Sequence, residues 1–530
     1  MRRIFLLVMT LALLIFSTAF AQGNKIIYIP IDNRPVNLRQ TVEVAEKLGY
    51  EILVPPMDLL GTGAAPEKFG KPLELWDWLN ANANDADIAV ISTDAMIYGS
   101  LVASRQHNLS AEEILNRAKN FQTLRDNFPY LQIYAFGTIM RSPVVGGYSE
   151  TEPEYYQTHG TAIFDYTALK DKSETQKLSA KEQNYFTYLE SSIPSEYLED
   201  WQRRRDRNYN ANKFFIDLAR NGAFEYFLLG CDDSAMFSQT HMESRHLTEY
   251  AADLNKIRCI VMSGADELGM LMISRAINDD RQHIPFVAIG YNAGTGADTI
   301  PNFSNEKISE SLEGAIISIG GMRVTNPANA DLVLAVNTRP TGKTFYAGDK
   351  RNQKHAYTGM GSYMKMLRGY LKNDYPVGVV DISTYNGGDN ALMNILRRKN
   401  LQFKIRAYGG WNTATNSAGF LIGAGTLTKW MDEGEIYEQL LTRYLDDWAY
   451  QANVRQPIND KLIWTIPGEG GLWGLNEKQA GLEALTTQMI ADFAAKNIRL
   501  PKGYALENFA VKYPWSRTFE SDVYFDLVKQ

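Results

Sequence analysis

The feature that most constrains this chain is a repeated alternation that begins near residue 25, in which short apolar runs are separated by longer stretches of helical periodicity. The runs fall at residues 26–31, 88–92, 131–136, 226–229, 258–262, 286–289, 332–336, 377–382 and 403–407. Continuous apolar strands spaced by amphipathic helices are what a parallel sheet covered on both faces requires. The pattern predicts an α/β fold: a mostly parallel sheet or a barrel-like core with covering helices. Spacing alone does not choose between an open sheet and a closed barrel.

Two stretches depart from the alternation. Residues 148–215 are rich in Tyr and charge, helical in character, and read as an insertion or lid after the strand ending near Phe136. Residues 426–530 read as a mostly helical C-terminal region. The expected organisation is an α/β core over residues 22–425, carrying the insertion, followed by that region.

Ahead of the core, Arg2 and Arg3 precede an apolar run from Ile4 to Phe16 and the small-residue sequence Ser17-Thr18-Ala19-Phe20-Ala21. That order is the pattern of a secretory signal peptide cleaved after Ala21, and the run is too short to span a bilayer. The chain is therefore expected outside the cytoplasm, periplasmic or secreted, with no stable membrane insertion after cleavage. Its formal charge of −7 argues against nucleic acid as a partner. The two cysteines, Cys231 and Cys259, lie in or beside strand-like runs, and either a bridge or two buried thiols fits the sequence.

Candidate chemistry gathers where the runs end. In parallel α/β folds the functional site lies at the carboxyl ends of the strands. Asp232-Asp233 and Asp266-Glu267 follow consecutive runs, and neighbouring strands lie about 4.8 Å apart, within reach of two-carboxylate glycoside hydrolysis. Crowding drives one carboxyl pKa upward, which separates an acid from a base. A competing role is helix capping, which suits Asp233, Asp266 and Asp389 by position. Asp32-Asn33-Arg34-Pro35, Asp94, Arg141, Asn292 and Asp389 are candidate substrate-binding residues. In Gly409-Gly410-Trp411-Asn412 the indole is placed to stack on a sugar beside the Asn412 amide.

Other chemistries find no footing. Gly342-Lys343-Thr344 lacks the upstream glycine of a phosphate-binding loop, since position 337 is Asn337. The glycines from Gly290 to Gly296 have the wrong spacing for a dinucleotide fingerprint, and with six histidines no zinc ligand spacing appears. No cofactor is implied.

Ile29-Pro30-Ile31-Asp32-Asn33-Arg34-Pro35, Leu101-Val102-Ala103-Ser104-Arg105, Asp232-Asp233, Gly264-Ala265-Asp266-Glu267, Gly410-Trp411-Asn412-Thr413 and the run from Pro514 to Glu520 together resemble the bacterial domain-of-unknown-function family 4127. The resemblance covers nearly all of the chain beyond the signal segment and implies membership, with no activity attached. The Asp-Asp pair is also similar to that of hexosaminidases whose substrate supplies its own acetamido nucleophile.

The expected function is an exported carbohydrate-active hydrolase. Asp232, Asp233, Asp266 and Glu267 supply acid and base, Asp32, Arg34 and Asn412 orient hydroxyls, and Trp411 stacks. The alternatives are a non-catalytic glycan- or cell-wall-binding protein and a Mg²⁺- or Ca²⁺-dependent hydrolase with Asp32, Asp94 and Asp232 as oxygen ligands.

Overall fold

A computed structural model describes residues 24–144, 151–465 and 474–530, so the expected signal segment and its cleavage point lie outside the described residues. The strands are β1 (Lys25–Ile29), β2 (Glu51–Leu53), β3 (Ile88–Ser92), β4 (Gln132–Ile139), β5 (Tyr226–Cys231), β6 (Cys259–Ser263), β7 (Phe286–Tyr291), β8 (Met322–Arg323), β9 (Leu332–Asn337), β10 (Phe345–Tyr346), β11 (Val377–Asp381), β12 (Thr384–Tyr385), β13 (Ala407–Gly409), β14 (Tyr504–Lys512) and β15 (Asp522–Lys529).

The alternation builds two open parallel sheets. A six-stranded sheet runs β2-β1-β3-β4-β5-β6, and a five-stranded sheet runs β13-β11-β9-β7-β8. All pairings within each are parallel. β1, β3 and β5 are almost wholly buried, as expected of strands covered on both faces.

The sheets share a core through two helices, Leu268–Asp280 and Ala414–Leu427. Every residue of the second helix is buried, and its small residues permit close approach. A Cβ at Gly423 would come within 3.1 Å of the Met270 carbonyl oxygen.

Between β4 and β5 the chain forms the helices Tyr156–Thr175, Ala180–Ser192 and Ser195–Arg220, with a small core around Trp201 and Tyr156. The C-terminal region is mostly helical and contains a π-helical segment, Tyr444–Val454. It ends in an antiparallel β14–β15 hairpin that the helical reading missed; a register shift between Glu507 and Ala510 interrupts its two-residue alternation. The apolar run at 403–407 also differs from expectation: the strand begins at Ala407, and Phe403 packs edge-on against Tyr437 and Tyr444.

Cys231 and Cys259 are both buried free thiols. They lie on adjacent strands, but Cys231 pairs with Ser263 and Cys259 with Phe227, so the strand register holds them apart. Among the described residues, no helix is long and apolar enough to cross a membrane.

Candidate functional site at the carboxyl edges

The carboxyl ends of β1, β3, β4, β5 and β6 deliver Asp32, Asp94, Arg141, Asp232 and Asp266 to one edge of the first sheet, where acids and arginines interleave. Arg34 joins the ends of this array. Its Nη2 lies 2.8 Å from Asp32 Oδ2 and 2.5 Å from Asp266 Oδ1, and its Nη1 lies 3.1 Å from Asp266 Oδ2. Asn37 Nδ2 donates to Asp32 Oδ1 at 2.8 Å. Asp32 is fully buried, and Arg34 and Asp266 are nearly so. A guanidinium gripping two carboxylates by paired N–H donors is a strong and directional arrangement.

The middle of the edge repeats the motif. Arg105 Nη2 donates to Asp232 Oδ2 at 2.5 Å. Arg141 donates from Nε to Glu152 Oε1 at 2.6 Å, from Nη2 to Thr151 Oγ1 at 2.7 Å and from Nη1 to Asp233 Oδ2 at 3.3 Å. Asp94 sits in the first turn after β3 and accepts from the Thr138 N–H at 2.8 Å and the Thr138 hydroxyl at 3.2 Å. Burial pushes the Asp94 carboxyl up to about 7, a rise the Thr138 hydrogen bonds oppose.

The predicted catalytic acids divide by environment. Asp233 keeps 31% of its side chain exposed and has φ of 29°, the left-handed region that costs a residue with a Cβ. The surrounding protein, which covers all but that exposed part, and then the Asp232 charge raise its carboxyl to about 6, with Arg141 and Arg105 pulling the other way. Asp266 is raised by burial, against Arg34. Glu267 is fully buried and points under the edge: its Oε2 accepts from the Ala265 N–H at 2.9 Å, and among the described residues its Oε1 has no hydrogen-bond partner. Gly264, at φ 127°, and Gly419 leave the room it occupies, since a Cβ at either would collide with its side chain. Burial raises Glu267 to about 8, which keeps it a neutral acid at pH 7. Without access to solvent it stands beneath the edge, at the position where the sequence reading expects a catalytic acid.

The second sheet meets the first through Asn412, just beyond β13, whose Nδ2 donates to Asp266 Oδ2 at 3.0 Å. Neighbouring Trp411 is buried in the shared core, so the expected sugar stacking is replaced by packing. Asn292 fastens its own turn, donating to the Thr338 carbonyl at 3.0 Å and accepting from the Ala293 N–H at 2.7 Å. Asp389 caps the helix Asn390–Arg398, its Oδ1 accepting from the Ala391 N–H at 2.9 Å, and Oδ2 takes Tyr357 and Ser383 hydroxyls at 2.7 and 2.9 Å. Both candidate substrate-binding side chains are thus engaged in hydrogen bonds to the protein's own backbone.

Capping falls differently at the other acids. Ser238, rather than Asp233, caps the helix Gln239–Tyr250, accepting from the His241 N–H at 3.0 Å. The helix after Asp266 has no side-chain cap. The divalent-cation grouping of Asp32, Asp94 and Asp232 does not form, since each acid has separate partners; among the described residues no three such side chains are placed to hold one metal ion.

Sequence reasoning missed several members of the edge. Arg105 and Glu520 lie in motifs that carried the family resemblance, which was the available signal. Glu520 Oε1 lies 3.9 Å from Arg34 Nη1 and also pairs with Arg517, while Trp515 donates to Asn33 Oδ1 at 2.6 Å and lies 5.2 Å from the Arg34 guanidinium. The β14–β15 loop thereby closes over the turn after β1. Glu152 had no local signal: its partners are Arg141, just beyond β4, and Arg105, on the helix Leu101–Gln106 that comes after β3.

The family model for proteins of unknown function DUF4127 matches residues 26–524. No curated protein matches the sequence. Among solved structures, a keto acid-selecting NRPS module, with adenylation, ketoreductase and pseudo Asub domains, aligns over 86% of this chain and 44% of its own, at 11% identity and a TM-score of 0.12. The chain spans less than half the length of that structure, and so slight a likeness carries no argument. The chain belongs to the DUF4127 family.

Proposed function

For this member of the family, we propose an exported hydrolase acting on a glycan at the carboxyl edge of the first sheet, with Asp233 as the group that gives and takes the proton. The observation that carries the reading is the contrast among the acids: Asp233 reaches solvent and is held at about 6, while Asp232 and Asp266 are clamped by Arg105 and Arg34. A general acid works best with a pKa near the operating pH. Burial first, and then the neighbouring Asp232, keeps the Asp233 proton on. Arg141, which donates to Thr151 and Asp233, would hold a substrate hydroxyl or carboxylate beside that acid.

The test is hydrolysis of a panel of aryl glycosides, N-acetylated sugars included, across pH. Turnover should depend on a group titrating near 6, and Asp233→Asn should remove that limb. A parent protein that binds glycans and hydrolyses none of the panel would move the conclusion to the second reading, a non-catalytic glycan-binding protein, which the full engagement of Asp232 and Asp266 favours. Export is part of the same proposal: the mature chain recovered outside the cytoplasm should have an intact mass that begins at Gln22.

A further inference from the structure

We propose that a cationic groove at the opposite end of the second sheet binds an anionic glycan chain. The groove has a volume of about 1040 Å³ and lies between the helix Met360–Lys372, the turns that lead into β11 and β13, and the helix Glu433–Arg443. It faces the amino-terminal ends of those strands, whereas Asp381 and Asn412 mark their carboxyl ends, so it is separate from the acid edge.

The charge is what distinguishes it. Lys365, Arg368, Lys372, Lys404 and Arg406 line it, and all are exposed. Among the described residues none of them forms an ion pair or a side-chain hydrogen bond, although elsewhere in the protein the charged side chains of the acid edge are tightly paired. Lys365, Arg368 and Lys372 recur at i, i+3 and i+7, which puts them along one face of their helix. The lining carboxylates are Asp374 and Glu433, and Glu433 already accepts from the Tyr437 hydroxyl at 2.5 Å.

A chain of net charge −7 that concentrates unpaired cations in one concavity has a local potential opposite to its overall field, which draws in an anionic ligand. Half-buried Tyr375, Phe403 and Tyr437 provide ring faces and edges among the cations. A concave groove with cations along its length fits a threaded polymer better than a flat bilayer surface. The choice of a glycan over a nucleic acid rests on the glycan reading of the acid edge, whereas the unpaired cations call for an anionic ligand in either case.

The experiment measures binding of the full chain to polygalacturonate, dextran sulfate, uncharged dextran and a single-stranded oligothymidylate at rising salt. Polygalacturonate or dextran sulfate should bind, with affinity falling as salt is raised. Which of them binds tighter identifies carboxylate or sulfate as the preferred group. The variant Lys365→Gln/Arg368→Gln/Lys372→Gln should weaken that binding roughly tenfold or more, with melting unchanged because the side chains are exposed and unpaired. Lys404→Gln/Arg406→Gln on the facing wall should act in the same direction and serves if the triple variant folds poorly. Binding that the variants leave intact, binding of uncharged dextran to the same extent, or tighter binding of the oligothymidylate would each overturn the proposal. Aryl glycoside turnover reads the acid edge separately, so failure there and failure here are distinguishable.

Discussion

The two sheets present acids at their carboxyl edges in the same way and neutralise them in opposite ways. On the first, Arg34, Arg105 and Arg141 are interleaved with Asp32, Asp266, Asp232 and Asp233. On the second, Asp381 and Asp389 are held by neutral donors: Asn337 Nδ2 to Asp381 Oδ1 at 2.9 Å, the Tyr408 hydroxyl to Asp381 Oδ2 at 2.8 Å and the Asp389 N–H to Asp381 Oδ2 at 2.7 Å. Burial, and then the Asp389 charge, push Asp381 up to about 7. Topology brings acids to both edges, and the partners decide what they become: a charged lattice with one solvent-reaching acid on the first, a sealed hydrogen-bonded knot on the second.

The sharpest way to break that contrast is through turnover. Asp233→Asn should lower turnover on a cleaved glycoside by about 10²- to 10⁴-fold, the range for lost proton transfer, with little change in melting. Asp381→Asn should leave turnover close to that of the parent. Equal losses from both, measured as kcat under saturating substrate, would erase the functional distinction between the edges.

Stability gives the next largest effect. Arg34→Met removes the cation shared by Asp32 and Asp266 and leaves two buried carboxylates with neutral donors alone, the amides of Asn37 and Asn412 among them, which should cost about 3 to 5 kcal/mol in denaturant unfolding. On the second edge, Asp389→Ala should cost at least the roughly 0.5 to 2 kcal/mol of a lost helix cap, seen as a lower unfolding midpoint. A loss at Asp389 greater than at Arg34 would mean that the neutral knot carries more of the fold than the ion lattice.

The smallest effect is on pH dependence. Folded-state values of about 8 for Glu267 and about 7 for Asp94 and Asp381 lie above those of the unfolded chain. The folded protein therefore binds more protons, and the stability these groups contribute is present below the unfolded values and is lost as pH rises through 7 to 8. Melting temperature should fall between pH 5 and pH 9. Glu267→Gln, which keeps an acceptor for the Ala265 N–H and adds no charge, should flatten the fall above pH 7. An unchanged slope in that variant would assign the effect to Asp94 and Asp381.

How much was legible in the sequence follows the same physics. Apolar runs that each fill one buried strand located β1, β3, β4, β5, β6, β7, β9 and β11, because burial on both faces is written locally in a few consecutive residues. The rule that polar groups at strand ends gather at one edge located Asp32, Asp94, Arg141, Asp232, Asp233 and Asp266 on the first sheet, and Asn412 reaches them from the second. β2, β8, β10 and β12 are too short to leave a pattern, and the interrupted alternation of the β14–β15 hairpin hid it.

The sequence by itself determined the α/β class, the family and the edge on which polar groups collect, because periodicity and strand-end position depend on neighbours a few residues away. Only the tertiary structure decided that the runs divide into two sheets, and that Arg34 meets Asp266 across 232 residues of chain. It also decided that Glu267 lies sealed beside Gly419, that Trp411 packs inward and that Asp389 caps a helix while Asp233 faces solvent. An aspartate at a strand end looks the same in sequence whether its partner is an arginine, a backbone N–H or water. The partner comes from another strand, and its charge and the depth of burial set the carboxyl's protonation and so its role.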